Sequence, residues 1–232
     1  DLARRLPQDT QNSPASGDSA TGIWGNGMTD QQISPATGTD VDDDRIEVHF
    51  SHMGLVVKDI AMMEDFYTKV IGFERTDGGK TGQGVTMIFM TLDPREHHQV
   101  FLVEGRPDNL PTNTIIPGGG AVLHHMAFRL GSLGDLRRMY KRMIAGSDRK
   151  VMTATHGVCW TMYTTDPEGN GIEFFADSPW YIHQPYLKPM DFNKDTDVLM
   201  AETEALCRAA PGFRPYEAFH RDLKQRVPAP AD

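Results

Sequence analysis

The sequence predicts an α+β fold built from two βαβββ modules, and an internal repeat is the main reason for this prediction. His52–Met53 begins one copy of the repeat and His125–Met126 begins the other. Tyr67 and Tyr140 follow these histidines at the same distance along the chain. A shared spacing that spans a strand-like and a helix-like stretch indicates a duplicated structural unit.

The first copy predicts a strand, then a helix, then further strands. HMGLVV has the composition of a strand, and AMMEDFYTKVI has helical periodicity and is followed by Gly72, a frequent helix terminator. Residues of high β-propensity dominate both GVTMIFMTL and HHQVFLVEG. Together these stretches define a module over about residues 46–105.

The second copy repeats this order over about residues 120–178. LHHMAFRL predicts its first strand and LGDLRRMYKRMI its helix, and VCWTMYTT and GIEFFA predict two later strands. Between the last two strands, DPEGN places Pro and Gly where a hairpin turn requires them. The two modules therefore form one paired domain over residues 46–178.

The flanking segments have a different composition. Residues 1–45 are rich in small polar residues and show no apolar period, which predicts an extended N-terminal arm. Residues 179–232 are rich in Pro and aromatic residues and predict a C-terminal extension with one helix. This helix runs from about Thr196 to Ala209 and ends before Pro211–Gly212.

Charge and composition exclude several classes of protein. The net charge is −9 and the chain has no run of Lys and Arg, so a nucleic-acid partner or a membrane surface is not expected. No apolar run approaches the ~20 residues of a membrane span. The first residues lack the apolar segment of a secretory signal. Cys159 and Cys207 are the two cysteines, which suits a reducing cytoplasmic location.

The repeat and the strand pattern suggest a metal site. His52 and His125 occupy equivalent places, so modules related by a pseudo-twofold axis would direct both into one cavity. Alternation along the last strand puts Glu173 on the face opposite Ile172 and Phe174. Two histidines and one carboxylate suit non-heme Fe(II). The alternative is that these histidines are ordinary surface or hydrogen-bonded residues.

The stretch THGVCWTMYTTDPEGNGIEFF resembles the signature of extradiol ring-cleavage dioxygenases in the vicinal oxygen chelate superfamily. The matching residues are His156, Met162–Tyr163, Asp166–Pro167, Gly169 and Glu173, at the spacing of the signature. Members of this superfamily use paired βαβββ modules to form a metal-holding cavity. The resemblance therefore implies a vicinal oxygen chelate, or glyoxalase-like, fold.

Other stretches extend the resemblance to most of the paired domain. GAVLHHMAF resembles the strand with the second metal-binding histidine, which selects His125 over His124. DPREHHQVFLVEG resembles the strand with a catalytic histidine, here His98. One departure is Ala154, where the signature prefers Gly, Asn, Thr, Ile or Val. With room for one pair of modules, the chain resembles a one-domain, type I member.

The resemblance implies an Fe(II)-dependent extradiol dioxygenase of aromatic catabolism, with Mn(II) as the alternative metal. Such an enzyme cleaves the ring of a catechol-type substrate with O₂ and forms a muconic semialdehyde-type product. We also expect a homo-oligomer. The implied metal ligands are His52, His125 and Glu173, and the implied catalytic residues are His98, His156 and Tyr163.

Two alternatives remain on the same fold. The first is a glyoxalase-like isomerase or lyase, which requires a fourth metal ligand on the last strand of the first module. Glu104 is the available carboxylate, although aligning the two copies puts Leu102 nearer the ligand position. The second is a non-catalytic small-molecule-binding protein, which does not require the two histidines and the glutamate.

Overall fold

The computed structural model describes residues 50–110, 123–145 and 148–227, and the N-terminal arm expected over residues 1–45 lies outside them. The first module contains β1 (Met53–Val57), α1 (Ile60–Asp65) with a π-helical continuation (Phe66–Ile71), β2 (Glu74–Lys80), β3 (Thr86–Thr91) and β4 (Val100–Glu104). The second module contains β5 (Met126–Arg129), α2 (Leu133–Ile144), β6 (Met152–Thr155), β7 (Cys159–Thr165) and β8 (Gly171–Asp177). The C-terminal extension contains β9 (Trp180–Tyr181), β10 (Lys188–Pro189), α3 (Thr196–Ala209), β11 (Arg214–Pro215) and α4 (Tyr216–Lys224).

The two modules have the same sheet topology. The first forms a four-stranded sheet in the order β1-β4-β3-β2, and the second contributes β6-β7-β8-β5 to a five-stranded sheet. In each module the first and last strands are parallel and the other neighbours are antiparallel. The predicted pair of βαβββ modules is therefore confirmed.

Two strands within the modules themselves are absent from the sequence prediction. β2 has the sequence ERTDGGK, and six of its seven residues are exposed because it lies at the edge of its sheet. Its polar residues and glycines have low β-propensity, so its strand conformation depends on pairing with β3. β6 has only four residues, which is too short for a clear alternating pattern.

Each module helix begins at a polar cap. The side chain of Asp59 accepts a hydrogen bond from the Met62 amide at the start of α1, and Ser132 accepts one from the Asp135 amide at the start of α2. Gly72 follows the π-helical turn with φ 105°, a conformation that favours glycine. The buried face of α2 follows helical spacing and consists of Leu133, Leu136, Met139 and Met143.

A glutamate with a largely buried side chain connects the modules. Glu168 lies in the turn between β7 and β8, and its Oε1 accepts hydrogen bonds from the amides of Lys58 and Asp59, at 2.7 and 2.8 Å. Arg106 donates to the Glu168 carbonyl at 3.0 Å and also approaches its carboxylate. The turn of the second module therefore contacts the helix start of the first module.

The C-terminal extension contains two helices, so the expectation of one helix is wrong. The predicted helix matches α3, whose buried side chains are Leu199, Thr203 and Cys207. The additional helix, α4, follows Pro215 and has no fully buried residue, but the half-buried Tyr216, Phe219 and Leu223 form an apolar face at helical spacing, which the prediction missed. Its Phe219 stacks on Tyr181, with ring centroids 4.2 Å apart.

The helices of the described residues are all short, and the longest of them, α3, has 14 residues. No helix in the described part of the chain has both the length and the apolar character that a membrane span needs.

Candidate active site

The hairpin of β7 and β8 positions two of the expected residues side by side. Tyr163 and Glu173 lie on neighbouring strands, as the hairpin turn predicts, and the antiparallel register makes them direct partners. The turn between the strands is held by Asp166, whose carboxylate accepts hydrogen bonds from the Asn170 side chain and from the Glu168 and Asn170 amides. The turn residues therefore fix the register that brings the phenol and the carboxylate together.

His125 contacts the carboxylate of Glu173. The His125 Nε2 lies 2.9 Å from Glu173 Oε2, and Ala127, two residues after His125, is the register partner of Glu173. Burial lowers the pKa of His125, and the nearby Glu173 opposes this shift. An imidazole that is neutral at neutral pH is the form that binds a metal.

Thr161 is a polar neighbour of Glu173 that the sequence analysis missed. Its side chain is buried, and its hydroxyl donates a hydrogen bond to Glu173 Oε1. The other carboxylate oxygen, Oε2, faces His125. Alternation along β7 places Thr161 and Tyr163 on one face, and this pattern would have revealed the contact.

Tyr163 and His156 form the next contact. The His156 Nε2 lies 2.8 Å from the Tyr163 hydroxyl oxygen, and the Tyr163 ring centroid lies 5.4 Å from that of His125. Burial raises the pKa of Tyr163, and the carboxylate of Glu173 raises it further. The phenol therefore keeps its proton at neutral pH and acts as a hydrogen-bonding group.

His52 and His98 lie together in the first module. Their ring centroids are 4.3 Å apart, and both rings lie within 6 Å of the Phe101 ring. His52 is exposed and precedes β1, whereas His98 is partly buried and precedes β4. Burial lowers the pKa of His98, and the neighbouring His52 and His97 lower it further.

The structure brings some of the expected site residues together and leaves others apart. His125, Glu173, Tyr163 and His156 form one chain of contacts, whereas His52 packs against His98. Among residues 50–110, 123–145 and 148–227, no group of three or more His, Cys, Asp or Glu side chains is arranged to hold a metal ion. The three-ligand set therefore stays a prediction.

The strand registers identify the residue of the first module that corresponds to Glu173. Met53 pairs with Val100 and Met126 pairs with Ile172, so the next residues, Phe101 and Glu173, are equivalent. The alignment that put Leu102 nearer this position is wrong by one residue, because sequence spacing alone does not define strand register.

Glu104, the carboxylate required by the four-ligand alternative, lies at the exposed end of β4. It pairs with Val57 and stands three residues after Phe101. Its equivalent in the second module is Ala176, which is buried in the core. The first module therefore has an aromatic ring, and not a carboxylate, at the place that Glu173 occupies in the second.

Cys159 and the large aromatic residues of this hairpin have packing roles. Burial, together with the carboxylates of Glu173 and Asp177, raises the pKa of Cys159 to about 12. A thiol with this pKa is not a nucleophile at neutral pH. Trp160 and Phe174 are buried in the core, and the Trp160 indole donates a hydrogen bond to Thr203 on α3.

Comparison with known proteins assigns the family. Residues 49–174 match the family described as the Glyoxalase/Bleomycin resistance protein/Dioxygenase superfamily. This match spans more than half of the chain, and it agrees with the paired βαβββ modules. The chain belongs to this superfamily, which is also called the vicinal oxygen chelate superfamily and is the one that the sequence motifs resemble.

Two curated relatives are dioxygenases of Rhodococcus globerulus. The chain is 32% identical over 130 residues to biphenyl-2,3-diol 1,2-dioxygenase 2, a match that covers 56% of the chain and 63% of that relative. It is 28% identical over 178 residues to biphenyl-2,3-diol 1,2-dioxygenase 3, covering 77% of the chain and 83% of that relative. The chain thus spans less than two thirds of the first of these proteins.

Solved structures of the same superfamily are more distant. A glyoxylase/bleomycin resistance protein/dioxygenase domain from Frankia sp. EAN1pec has a TM-score of 0.46 and 20% identity, covering 57% of this chain and 99% of that chain. The fosfomycin resistance protein FosX from Listeria monocytogenes has a TM-score of 0.45 and 20% identity, covering 57% of this chain and 96% of that chain.

The relatives imply a metal cofactor, and the donor groups of the site fit one. Imidazole nitrogen and carboxylate oxygen are the ligand types of non-heme Fe(II) and related divalent metals. His125 and Glu173 present one of each in direct contact, and Thr161 holds the carboxylate from its other side. His52 stays the predicted third donor, from its place in the repeat.

Proposed function

We propose that this chain is a metal-dependent extradiol dioxygenase that opens the ring of a catechol-type substrate with O₂. The main support is the chain of contacts from His125 to Glu173, Tyr163 and His156. These residues include the His, Tyr and Glu of the signature, and they lie around the histidine that the second repeat provides. The similarity to two biphenyl-2,3-diol dioxygenases supports the same reaction class.

In this proposal His52, His125 and Glu173 hold the metal, which we expect to be Fe(II), with Mn(II) as the alternative. When bound, such an ion supplies open coordination positions for the two substrate oxygens and O₂, together with the electron transfer that O₂ chemistry requires. The equivalent of Glu173 in the first module is Phe101, so three protein ligands are expected.

The remaining residues orient the substrate and handle its protons. Tyr163 is a neutral phenol held by His156, so its hydroxyl group can hydrogen-bond a substrate oxygen without acting as a base. His98 lies beside His52, next to the proposed metal ligand, and is the residue we assign to proton transfer. An imidazole suits this role because its unperturbed pKa lies close to neutral pH.

One cavity has His125 in its lining, whereas the other proposed site residues do not line it. It has a volume of about 660 Å³ and is lined mainly by apolar side chains, among them Met53, Phe73, Leu123 and Phe128. Small-molecule sites of this size are typically apolar with a few polar groups. A catechol with an apolar substituent on the ring fits this lining, as does the substrate class named for the two relatives. We further propose a cytoplasmic homo-oligomer.

The test is anaerobic reconstitution with Fe(II) or Mn(II), followed by a panel of catechols with and without apolar substituents. We expect a yellow ring-fission product and one O₂ consumed for each catechol. Absence of O₂ uptake with every catechol would overturn the proposal. Turnover of a glutathione hemithioacetal without O₂ uptake would instead favour the isomerase alternative.

A further inference from the structure

The C-terminal extension returns to the candidate active site along the edge of β6 that is not paired with β7. β10 pairs with β6, so that Lys188 lies opposite Thr155 and Pro189 opposite Ala154. The Met190 amide donates to the Thr153 carbonyl at 3.1 Å, and the Thr153 hydroxyl donates to the Met190 carbonyl. This segment lies beyond residues 49–174, the part of the chain that matches the superfamily.

The extension supplies a hydrogen-bond partner to His156. The His156 Nδ1 lies 2.6 Å from the Tyr186 carbonyl oxygen, and a carbonyl oxygen can only accept a hydrogen bond. The proton of the neutral ring must therefore be on Nδ1. The hydrogen bond that one ring nitrogen makes decides the state of the other, so Nε2 has a free lone pair.

The Nε2 lone pair of His156 faces the Tyr163 hydroxyl, 2.8 Å away. The Glu173 carboxylate is a second acceptor near this phenol, but the 2.8 Å contact is the one to His156, so Tyr163 donates its proton to His156 and its oxygen lone pairs remain available to accept a hydrogen bond. A substrate hydroxyl is a donor of the required kind. The opposite tautomer of His156 would turn the Tyr163 proton away from the ring and present a donor to the substrate.

The side chain of Gln184 hydrogen-bonds to the backbone of both His156 and Tyr186. Its side-chain nitrogen donates to the His156 carbonyl at 2.8 Å, and its side-chain oxygen accepts from the Tyr186 amide at 3.2 Å. One amide group therefore ties the backbone of His156 to the backbone of Tyr186. A glutamine is suited to this place because it has a donor and an acceptor on one planar group.

We propose that Gln184 and the Tyr186 carbonyl are positioning groups that hold His156 in the Nδ1–H tautomer, so that Tyr163 meets the substrate as a hydrogen-bond acceptor. The tautomer follows from contacts of the chain itself. Only its consequence for the substrate rests on the proposed dioxygenase function.

The test measures the tautomer directly in the full chain, labelled with ¹⁵N-histidine and freed of metal. Two-bond ¹H–¹⁵N correlations distinguish the Nδ1–H from the Nε2–H form, and loss of a signal in His156→Ala assigns it. We expect the Nδ1–H form in the wild type and a mixture of forms in Gln184→Ala. Gln225 is an exposed glutamine of the same extension, so Gln225→Ala is the matched control and should have the same spectrum as the wild type.

Two further variants separate the contributions. Gln184→Glu keeps an acceptor for the Tyr186 amide but loses the donor to His156, so we expect a smaller shift toward mixed tautomers than in Gln184→Ala. Tyr163→Phe keeps the Tyr186 contact, so His156 should remain Nδ1–H. An Nε2–H form in the wild type, or a tautomer that changes in Tyr163→Phe but not in Gln184→Ala, would overturn the proposal.

Activity provides the second readout. Gln184→Ala should lower kcat with a catechol by about twofold to tenfold, the effect of one net hydrogen bond, while its thermal unfolding midpoint stays close to that of Gln225→Ala. An unchanged kcat in Gln184→Ala would show that the contact does not position Tyr163. If no catechol is cleaved but the tautomers behave as expected, the positioning role stands and the proposed reaction fails.

Discussion

The two modules share one backbone plan but present different side chains at equivalent places. Both have a histidine before the first strand, His52 in one and His125 in the other. On the last strand, the first module has Phe101 where the second has Glu173. The repeat therefore preserves the histidine in both halves, whereas the carboxylate is present in one half.

The residues around Phe101 and those around Glu173 also differ in chemical type. Phe89 pairs with Phe101 across the sheet, whereas the partner of Glu173 is Tyr163. Before the last strand, the first module has His98 at the place where the second has Asn170. The Asn170 side chain donates a hydrogen bond to Asp166 in the hairpin turn. The first module thus offers imidazole and aromatic rings, and the second a carboxylate and a phenol.

Both modules therefore have the same backbone frame, and the candidate site residues differ between them. A site with four protein ligands needs a carboxylate from each module, and only the second provides one at this place. Substitutions at matched positions of the two modules test this asymmetry.

The largest effect is expected for Glu173→Gln, which keeps the size of the side chain and removes its charge. Loss of outer partners of metal ligands typically lowers metal affinity about 10–100-fold, and loss of a direct ligand should exceed ~100-fold. Metal affinity is measured by competition with a chelator, and ring cleavage by O₂ uptake.

Glu104→Gln is the matched control in the first module, because Glu104 lies at the exposed end of β4. We expect its metal affinity to match the wild type. Equal losses in the two variants would mean that both modules contribute a carboxylate, and the asymmetry described above would then be wrong.

His98→Gln tests what the first module contributes besides His52. General acid–base assistance is typically worth ~10²–10⁴-fold in rate, so we expect kcat to fall by roughly this factor while metal affinity is retained. His97→Gln should lose much less, because His97 is largely exposed and its Nε2 faces Asp77 at 3.8 Å, although its Nδ1 lies 2.9 Å from His98 Nδ1. Identical rates for the two variants at saturating O₂ would place the proton transfer elsewhere.

The smallest effect concerns packing beneath Phe101. Gly54 is its register partner, and a Cβ at Gly54 would lie 2.3 Å from the Phe101 ring. The second module has Ala127 opposite the narrower Glu173. Gly54→Ala should lower the free energy of unfolding by about 1 kcal/mol, the lower end of typical overpacking, because the Phe101 ring can shift toward solvent.

Urea unfolding measures this effect, and the double variant Gly54→Ala with Phe101→Leu is its control. The smaller leucine side chain leaves room for the new methyl group, so much of the loss should be recovered. If Gly54→Ala costs the same free energy in the wild type as in the Phe101→Leu background, the cost belongs to the backbone and not to the ring.

Much of the fold was predictable because it depends on local patterns. The bounds of α2 and α3 match the stretches with helical periodicity, and the turn from Asp166 to Asn170 is defined by its own residues. The polar strand β2 was not predictable, because pairing stabilises it and no apolar period reveals it, whereas α4 has a short apolar face at helical spacing that the prediction missed.

The candidate site was predictable only where one hairpin contains it. Tyr163 and Glu173 are neighbours because the turn fixes their register. The contact between His156 and Tyr186 joins the paired domain to an extension without a motif, so no local signal indicates it. The same limit applies to His52, whose packing against His98 depends on strands that are distant in sequence.

The contact of Glu168 with the first module has a consequence for the order in which the chain is made. Each helix has a cap from its own module, Asp59 for α1 and Ser132 for α2, but the amides of Lys58 and Asp59 also donate to Glu168, a residue more than a hundred positions later. The first module emerges from the ribosome well before Glu168 is synthesised, and domains generally fold as units during synthesis. The backbone amides before α1 therefore gain these hydrogen bonds only after the second module has been synthesised. The start of α2, in contrast, is capped by a residue of its own module.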